Sequence, residues 1–159
     1  MSATTAQDIL VRKSILVDAP QEHVFRTFTE RIDTWWPRSH HIGKAERFQA
    51  ILELRPGGRW FERGDDGSEC QWGSVLEWDP PSRVVLSWDL DPEWQYVAGL
   101  GTEVEVRFVP EGDTRTRVIL EHRRLELYGE NAEMMRNLFE GDEAWAGMLA
   151  AMGAAAAKG

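Results

Sequence analysis

The sequence predicts an α+β domain in which a curved antiparallel sheet lies against one long C-terminal helix. Residues 131–158 carry apolar side chains at helical spacing. The predicted buried stripe consists of Met134, Leu138, Trp145, Met148 and Met152, with Gly141 in phase between Leu138 and Trp145. Upstream, short runs rich in β-branched and aromatic residues are separated by turns that contain glycine or proline. A run of strands closed by a helix, rather than alternating with helices, is typical of an α+β domain.

Gly141 is the unusual member of this stripe, because any other residue there would add a side chain to the core. Two interpretations remain open. Gly141 either leaves space for a cavity between sheet and helix, or it lets a bulky neighbour approach the helix closely. The stripe methionines allow the same two interpretations, since unbranched side chains can form an adaptable cavity wall or simply fill a core.

The predicted elements follow one another with short connections. A first strand is predicted at 8–17, a helix from Pro20 to about Glu30, and a second short helix at 32–36 that Pro37 ends. Residues 38–47 form a polar connection without periodicity, and residues 90–100 are predicted to be a loop or the frayed end of a hairpin. The remaining strands are predicted at 48–55, 59–63, 70–78, 83–89, 102–109 and 114–123.

The last predicted hairpin shows the clearest alternation of apolar and polar residues. On its second strand Val118, Leu120 and His122 share one face, while charged residues and Ile119 share the other. This pattern is typical of a sheet with one face exposed to water and one face covered. We therefore expect His122 to point towards the C-terminal helix.

Composition limits the classes of function. The 159 residues are sufficient for one domain, 1–159, and the net charge of −9 argues against nucleic acid as a partner. Cys70 is the single cysteine, so an internal disulfide is excluded and a reducing cytoplasm is expected. No segment resembles a signal peptide or reaches the length of a membrane span. The eight tryptophans indicate either a core rich in large aromatic side chains or a cavity lined by aromatic side chains.

Several segments, taken in order, resemble the SRPBCC superfamily of START-like, helix-grip domains. Within it the chain is similar to the bacterial family related to the activator of heat-shock protein 90 ATPase. The matching segments are Ala19-Pro20 with Val24-Phe25, Trp35-Trp36-Pro37, Gly57-Gly58-Arg59-Trp60, Trp72-Gly73 leading into Asp79-Pro80-Pro81, 103–108, 116–123, and the long helix with Trp145.

The resemblance implies a helix-grip fold: six to seven antiparallel strands wrapped around the C-terminal helix, with two short helices after the first strand. It also implies a cavity between sheet and helix, which in relatives holds lipids, hormones, polyketides or other apolar small molecules. The eukaryotic co-chaperone has an additional N-terminal domain that these 159 residues do not contain. Stimulation of a chaperone ATPase is therefore not expected.

Few residues are candidates for chemistry. His40 and His41 are adjacent and lack further ligands at a recognisable spacing, so we expect loop histidines rather than a metal site. His122 could act as a general base or hydrogen-bond a ligand, or it could be a core histidine satisfied by its neighbours. Cys70 has no histidine nearby in the sequence, and a nucleophilic role is not expected. No cofactor motif is recognised.

These observations predict a cytoplasmic protein that binds an apolar small molecule between the sheet and the C-terminal helix. The residues expected to contact the ligand are Trp36, His40, Arg59, Trp60, Trp72, Trp88, His122, Met135, Leu138, Gly141 and Trp145. One alternative is an enzyme of the polyketide cyclase or hydrolase kind, with His122 as its acid or base. Another is a chaperone-type protein-interaction module. Neither nucleic acid nor a membrane is expected as a partner, and a homodimer is left open.

Overall fold

The computed structural model describes residues 9–158, within which seven strands form one antiparallel sheet. The order across the sheet is β1-β7-β6-β5-β4-β3-β2, so each strand after β1 lies next to its neighbour in sequence. The strands are β1 (Val11–Val17), β2 (Phe48–Leu52), β3 (Arg59–Gly64), β4 (Glu69–Asp79), β5 (Arg83–Trp88), β6 (Thr102–Pro110) and β7 (Thr116–Arg123). This sheet and the helical C-terminal segment confirm the predicted α+β, helix-grip fold class.

The helices connect and cover the strands. The chain forms α1 (Gln21–Phe28) and a 3₁₀ turn (Ile32–Thr34) after β1, and a 3₁₀ segment (Leu125–Asn131) after β7. The first helix is shorter than predicted, since it ends at Phe28. Asp8, where the prediction began the first strand, lies outside the described residues. Among residues 9–158, no helix combines the length and apolar character needed to cross a membrane.

The C-terminal helical segment is interrupted, whereas the sequence predicts one continuous helix. It consists of α2 (Ala132–Glu140), a π-helical turn (Asp142–Ala146) and α3 (Gly147–Ala157). Gly141 is extended (φ −69°, ψ 160°), a departure from the helix that costs little at a residue without a side chain. Ala144 also leaves the helical region (φ −96°, ψ −128°).

This break changes which face of α2 is buried. Met134 and Leu138, which the prediction placed on the buried stripe, are 54% and 48% exposed. Met135 and Phe139, one position later in each case, are buried instead. The predicted burial of Trp145, Met148 and Met152, which lie after the break, is confirmed.

The inner face of the sheet carries the core. Val118, Leu120 and His122 of β7 are all buried, which confirms the alternation predicted for this strand. α3 packs against β1 and α1, and α1 also contacts β6. The buried apolar side chains of these elements form one continuous cluster, in which aromatic residues concentrate near β3, β4 and β5.

A β-bulge in β4 directs Trp72 to this inner face. Trp60 pairs with Gly73 but Phe61 pairs with Gln71, so Trp72 is the extra residue on β4. Gly73 leaves room for the Trp60 indole, whose Nε1–H donates to the Ser87 carbonyl oxygen at 2.7 Å. Two large indoles from adjacent strands can therefore lie side by side on one face.

Candidate functional site

A cavity of about 700 Å³ lies between the inner face of the sheet and the junction of α2 with α3. One wall comes from the sheet and the 89–100 loop, a second from the polar loop that follows Trp36, and a third from residues 138–148. The volume lies within the range of about 300–1,000 Å³ that is usual for small-molecule sites. The break at Gly141 contributes to this space, because residues 141–145 all line the cavity.

Indole rings dominate the cavity walls. The five tryptophans that line it are Trp36, Trp72, Trp88, Trp94 and Trp145. Trp36 and Trp72 are stacked, with ring centroids 4.8 Å apart and an angle of 24° between the ring planes. Trp145 meets both Trp36 (6.4 Å) and Trp88 (5.6 Å) edge to face. The cavity therefore offers large, rigid apolar surfaces to a ligand.

His122 supports this wall from behind and does not line the cavity. Its Nδ1 accepts a hydrogen bond from the indole N–H of Trp145 (3.1 Å), and its Nε2–H donates to the Thr102 hydroxyl oxygen (3.2 Å). The Thr102 hydroxyl in turn donates to the Trp88 carbonyl oxygen (2.6 Å). Full burial of the ring lowers the pKa of His122 to about 3. A neutral His122 thus fixes the orientation of Trp145, and the structure does not support its use as a general base.

The loop wall is held by a buried carboxylate on β3. Glu62 accepts hydrogen bonds from the backbone N–H groups of Ile42 (2.6 Å) and Gly43 (3.0 Å) and from the indole N–H of Trp72 (3.1 Å). No Lys or Arg of the described chain forms an ion pair with Glu62, so these three N–H groups satisfy its charge. One side chain therefore fixes both the loop and an aromatic wall of the cavity.

His40 joins the loop to the turn between α2 and α3. Its Nε2–H donates to the Glu143 carbonyl oxygen at 3.0 Å, and its Nδ1 accepts from the Ser39 hydroxyl at 2.9 Å. His41 uses Nδ1–H to donate to the Gly43 carbonyl oxygen at 3.0 Å, and its ring is stacked on Phe48. Neither histidine belongs to a metal cluster, since residues 9–158 contain no group of three or more His, Cys, Asp or Glu suited to an ion.

The structure brings together most of the residues predicted to contact a ligand. The seven that line the cavity are Trp36, His40, Trp72, Trp88, Leu138, Gly141 and Trp145. Gly141 lies in the open wall, where an added Cβ would meet only the Leu138 carbonyl oxygen within 4 Å. Whether these residues bind a ligand stays a prediction.

Four predicted contact residues lie elsewhere. Trp60 is buried behind Trp72 and Trp88, and Met135 is buried in the core beneath α2. His122 lies behind Trp145. Arg59 points to the opposite face of β3 from Trp60, because side chains alternate along a strand; there it pairs with Glu53 and Glu69.

Sequence reasoning missed three parts of the site. Glu62 has the charged character of an ordinary surface residue, and its two partners in the loop lie about 20 residues earlier in the chain. Trp94 occurs in a loop without periodicity, and it reaches the cavity edge to face with Trp88. Phe139 lines the cavity because the buried face of α2 is shifted by one position from the predicted one. The high tryptophan content was the only signal in the sequence that pointed to Trp94.

Replacing Glu62 with glutamine should loosen the loop wall. A glutamine side chain has one acceptor oxygen, so at least one of the Ile42 and Gly43 amides loses its partner. We expect these two amides to exchange hydrogen about tenfold faster, which corresponds to about 1.4 kcal/mol of local stability. Hydrogen exchange followed by NMR measures this directly. Glu53→Gln is the control, since Glu53 lies outside the cavity, and equal exchange in both variants would contradict the role of Glu62.

A curved antiparallel sheet closed by a C-terminal helical segment, with a cavity between them, defines a START-like, helix-grip domain of the SRPBCC superfamily. Within this superfamily the chain belongs to the family described as activator of Hsp90 ATPase homolog 1-like protein, which matches residues 18–156. The resemblance noted in the sequence is therefore confirmed.

Solved structures share this fold over nearly their whole length. An anthrahydroquino-γ-pyrone synthase, Txn09, solved in complex with SUM, is 41% identical over 91% of this chain and 94% of its own, with a TM-score of 0.63. CalC, a self-sacrificing resistance protein from Micromonospora echinospora, is 28% identical over 94% of each chain, with a TM-score of 0.67. Protein NE0264 from Nitrosomonas europaea, at 18% identity over 97% of this chain and 96% of its own, shows the fold alone (TM-score 0.59). No curated protein matches the chain.

Proposed function

We propose that this protein binds a flat, polycyclic aromatic small molecule in the tryptophan-lined cavity. The observation that carries the proposal is the set of five indoles around one space of about 700 Å³, with Trp36 and Trp72 stacked in the wall. Flat ring faces make their largest contact with a flat ligand, and indoles lose little conformational freedom on binding because they are already packed.

The similarity to Txn09 supports this ligand class. The name of that synthase denotes a fused aromatic ring system, and the two chains are 41% identical over almost their whole length. The cavity walls of this chain agree with such a ligand, because apolar and aromatic side chains predominate among the residues that line it. A cytoplasmic location stays a prediction from the sequence, and the sequence leaves a homodimer open.

Binding of anthraquinone, a flat three-ring probe, tests the proposal. We expect saturable binding of one molecule per chain, with quenching of tryptophan fluorescence and a matching stoichiometry in calorimetry. Dodecanol, an apolar but flexible probe, should bind at least tenfold more weakly. Absence of saturable anthraquinone binding, or tighter binding of dodecanol, would show that the cavity does not select flat aromatic molecules.

Replacing Trp94 with alanine should weaken anthraquinone binding by about five- to tenfold, the effect of losing one aromatic contact of roughly 1 kcal/mol. Trp94 is 39% exposed at the cavity, so its removal should leave the fold intact. Tyr96→Ala is the matched control, because Tyr96 lies in the same loop, is 40% exposed and does not line the cavity. Calorimetry measures both affinities, and an equal loss in the two variants would place the probe outside this cavity.

A second candidate function is catalysis on the bound aromatic molecule, which the 41% identity to a synthase favours. In this chain the acid or base for such chemistry would come from His41, which lines the cavity, since both ring nitrogens of His122 and of His40 are already hydrogen-bonded. Liquid chromatography coupled to mass spectrometry, applied to a polyketide-derived ligand recovered after incubation, separates the two functions. An unchanged ligand supports binding alone, and a rearranged or cyclised product supports catalysis.

A further inference from the structure

We propose that His41 gives the cavity one hydrogen-bond-accepting position, and that this position selects aromatic ligands bearing a phenolic hydroxyl. The inference rests on the proposed function, because it names the chemical class within the flat aromatic molecules that the cavity would bind. It assigns the recognition to one atom, Nε2 of His41.

The histidines near the cavity differ in which ring nitrogens are free. Both nitrogens of His122 are hydrogen-bonded, to Trp145 and Thr102. Both nitrogens of His40 are also occupied, by the Ser39 hydroxyl and the Glu143 carbonyl oxygen. His41 is hydrogen-bonded through Nδ1 alone, and within residues 9–158 its Nε2 has no partner.

The bond made by Nδ1 decides what Nε2 can do. The partner of Nδ1 is the Gly43 carbonyl oxygen at 3.0 Å, and a carbonyl oxygen only accepts, so Nδ1 carries the proton. In the neutral ring Nε2 then has a lone pair available to a donor. A hydroxyl group on a ligand is the donor that such a nitrogen binds well, whereas a ligand carbonyl offers no proton to it.

The ring of His41 is held in place before any ligand arrives. It is stacked on Phe48 with ring centroids 5.1 Å apart and an angle of 28° between the planes. The following residues, Ile42 and Gly43, are fixed through their N–H groups by the buried carboxylate of Glu62. A fixed acceptor loses little conformational freedom when it forms a new hydrogen bond, so the bond contributes more to affinity.

The charged residues around the cavity favour a ligand that carries a hydroxyl group over a ligand that carries an acidic group. No Lys or Arg is present among the described residues that line it, whereas Asp142 and Glu143 are. The Glu62 carboxylate also lies 3.9 Å from His41 Nδ1. A carboxylate or phosphate group on a ligand would therefore meet negative charge without a cation to pair with. A phenolic hydroxyl is neutral and can still donate to Nε2.

Two probes of almost the same shape test this inference on the full chain. β-Hydroxyanthraquinone carries one hydroxyl group that anthraquinone lacks. We expect the wild-type protein to bind the hydroxylated probe about fivefold more tightly, the gain of one net hydrogen bond. His41→Phe keeps an aromatic ring to stack on Phe48 but has no acceptor, so it should bind the two probes with equal affinity.

A second variant covers the case in which His41→Phe does not fold. His41→Gln retains an acceptor oxygen and should keep a preference for the hydroxylated probe. Equal binding of the two probes by the wild-type protein, or the same preference in wild type and His41→Phe, would overturn this inference and leave the proposed function standing. Failure of the wild-type protein to bind either probe would overturn the proposed function and this inference with it.

Discussion

Replacement of Gly73 by alanine should lower the free energy of unfolding by about 3 kcal/mol or more, a large part of the roughly 5–15 kcal/mol that stabilises an ordinary domain. A Cβ atom at this position would lie 1.8 Å from the Ser87 carbonyl oxygen and 2.4 Å from the Trp60 indole nitrogen. The first atom belongs to the neighbouring strand and the second to a buried ring that donates to the same carbonyl. A shift of either group would disturb the hydrogen bond that joins the Trp60 indole to the Ser87 carbonyl oxygen. Urea denaturation of the wild-type and variant proteins measures the loss.

Gly141→Ala is the matched control for this substitution. Its new methyl group would meet only the Leu138 carbonyl oxygen at 3.4 Å, an ordinary contact distance, and Gly141 does not have a positive φ. We expect a change in stability within about 0.5 kcal/mol. Similar stability of the Gly73→Ala and Gly141→Ala proteins would contradict the close packing described at the β4 bulge.

Acidification from pH 7 to pH 5 should cost about 2 kcal/mol of stability through His122 alone. Burial lowers the pKa of His122 from 6.5 to about 3 in the folded protein. As the pH falls below 6.5, the unfolded chain binds a proton at this residue while the folded protein does not. The stabilisation is therefore complete above pH 6.5 and is lost progressively as the pH falls towards 3.

Urea unfolding at several pH values tests this dependence against His122→Asn. Asparagine keeps an acceptor oxygen near the Trp145 indole N–H but does not titrate in this range. The variant should be less stable than wild type at pH 7, because its smaller side chain leaves a cavity and the Thr102 hydroxyl loses the hydrogen bond from His122. Between pH 7 and pH 5 it should lose about 2 kcal/mol less than wild type does. A parallel loss in both proteins would show that another group causes the pH dependence.

The parts of the fold that depend on local periodicity could be predicted from the sequence. The alternation of β7 placed His122 on the covered face correctly, because side chains alternate strictly along an uninterrupted strand. The predicted buried face of α2 was wrong because the helical segment, unlike strand β7, is interrupted. Helical spacing counted back from Trp145 assumes a continuous helix, and the break at Gly141 shifts the buried positions to Met135 and Phe139.

For the cavity, only the kinds of residue that line it could be predicted from the sequence. The tryptophan content pointed to aromatic walls, and seven predicted residues line the cavity. The position of Arg59 and the inward direction of Trp72 depend on strand pairing, and a bulge cannot be located without the partner strand. The bonds from Glu62 to the loop join residues about 20 positions apart whose side chains show no pattern, so no sequence signal marks them.

Because the indoles are closely spaced, the intrinsic fluorescence and circular dichroism of the protein should report on binding in the cavity. Trp36, Trp60, Trp72, Trp88, Trp94 and Trp145 form a chain of ring pairs with centroids 4.8–6.5 Å apart. At such separations, excitation absorbed by one ring passes rapidly to the others. One bound molecule that absorbs at the emission wavelength of tryptophan, and lies beside any one ring, can then quench the fluorescence of the whole group. The stacked pair, Trp36 and Trp72, should also give an intense near-ultraviolet circular dichroism band. Occupancy of the cavity can thus be followed in real time without a dye or a label.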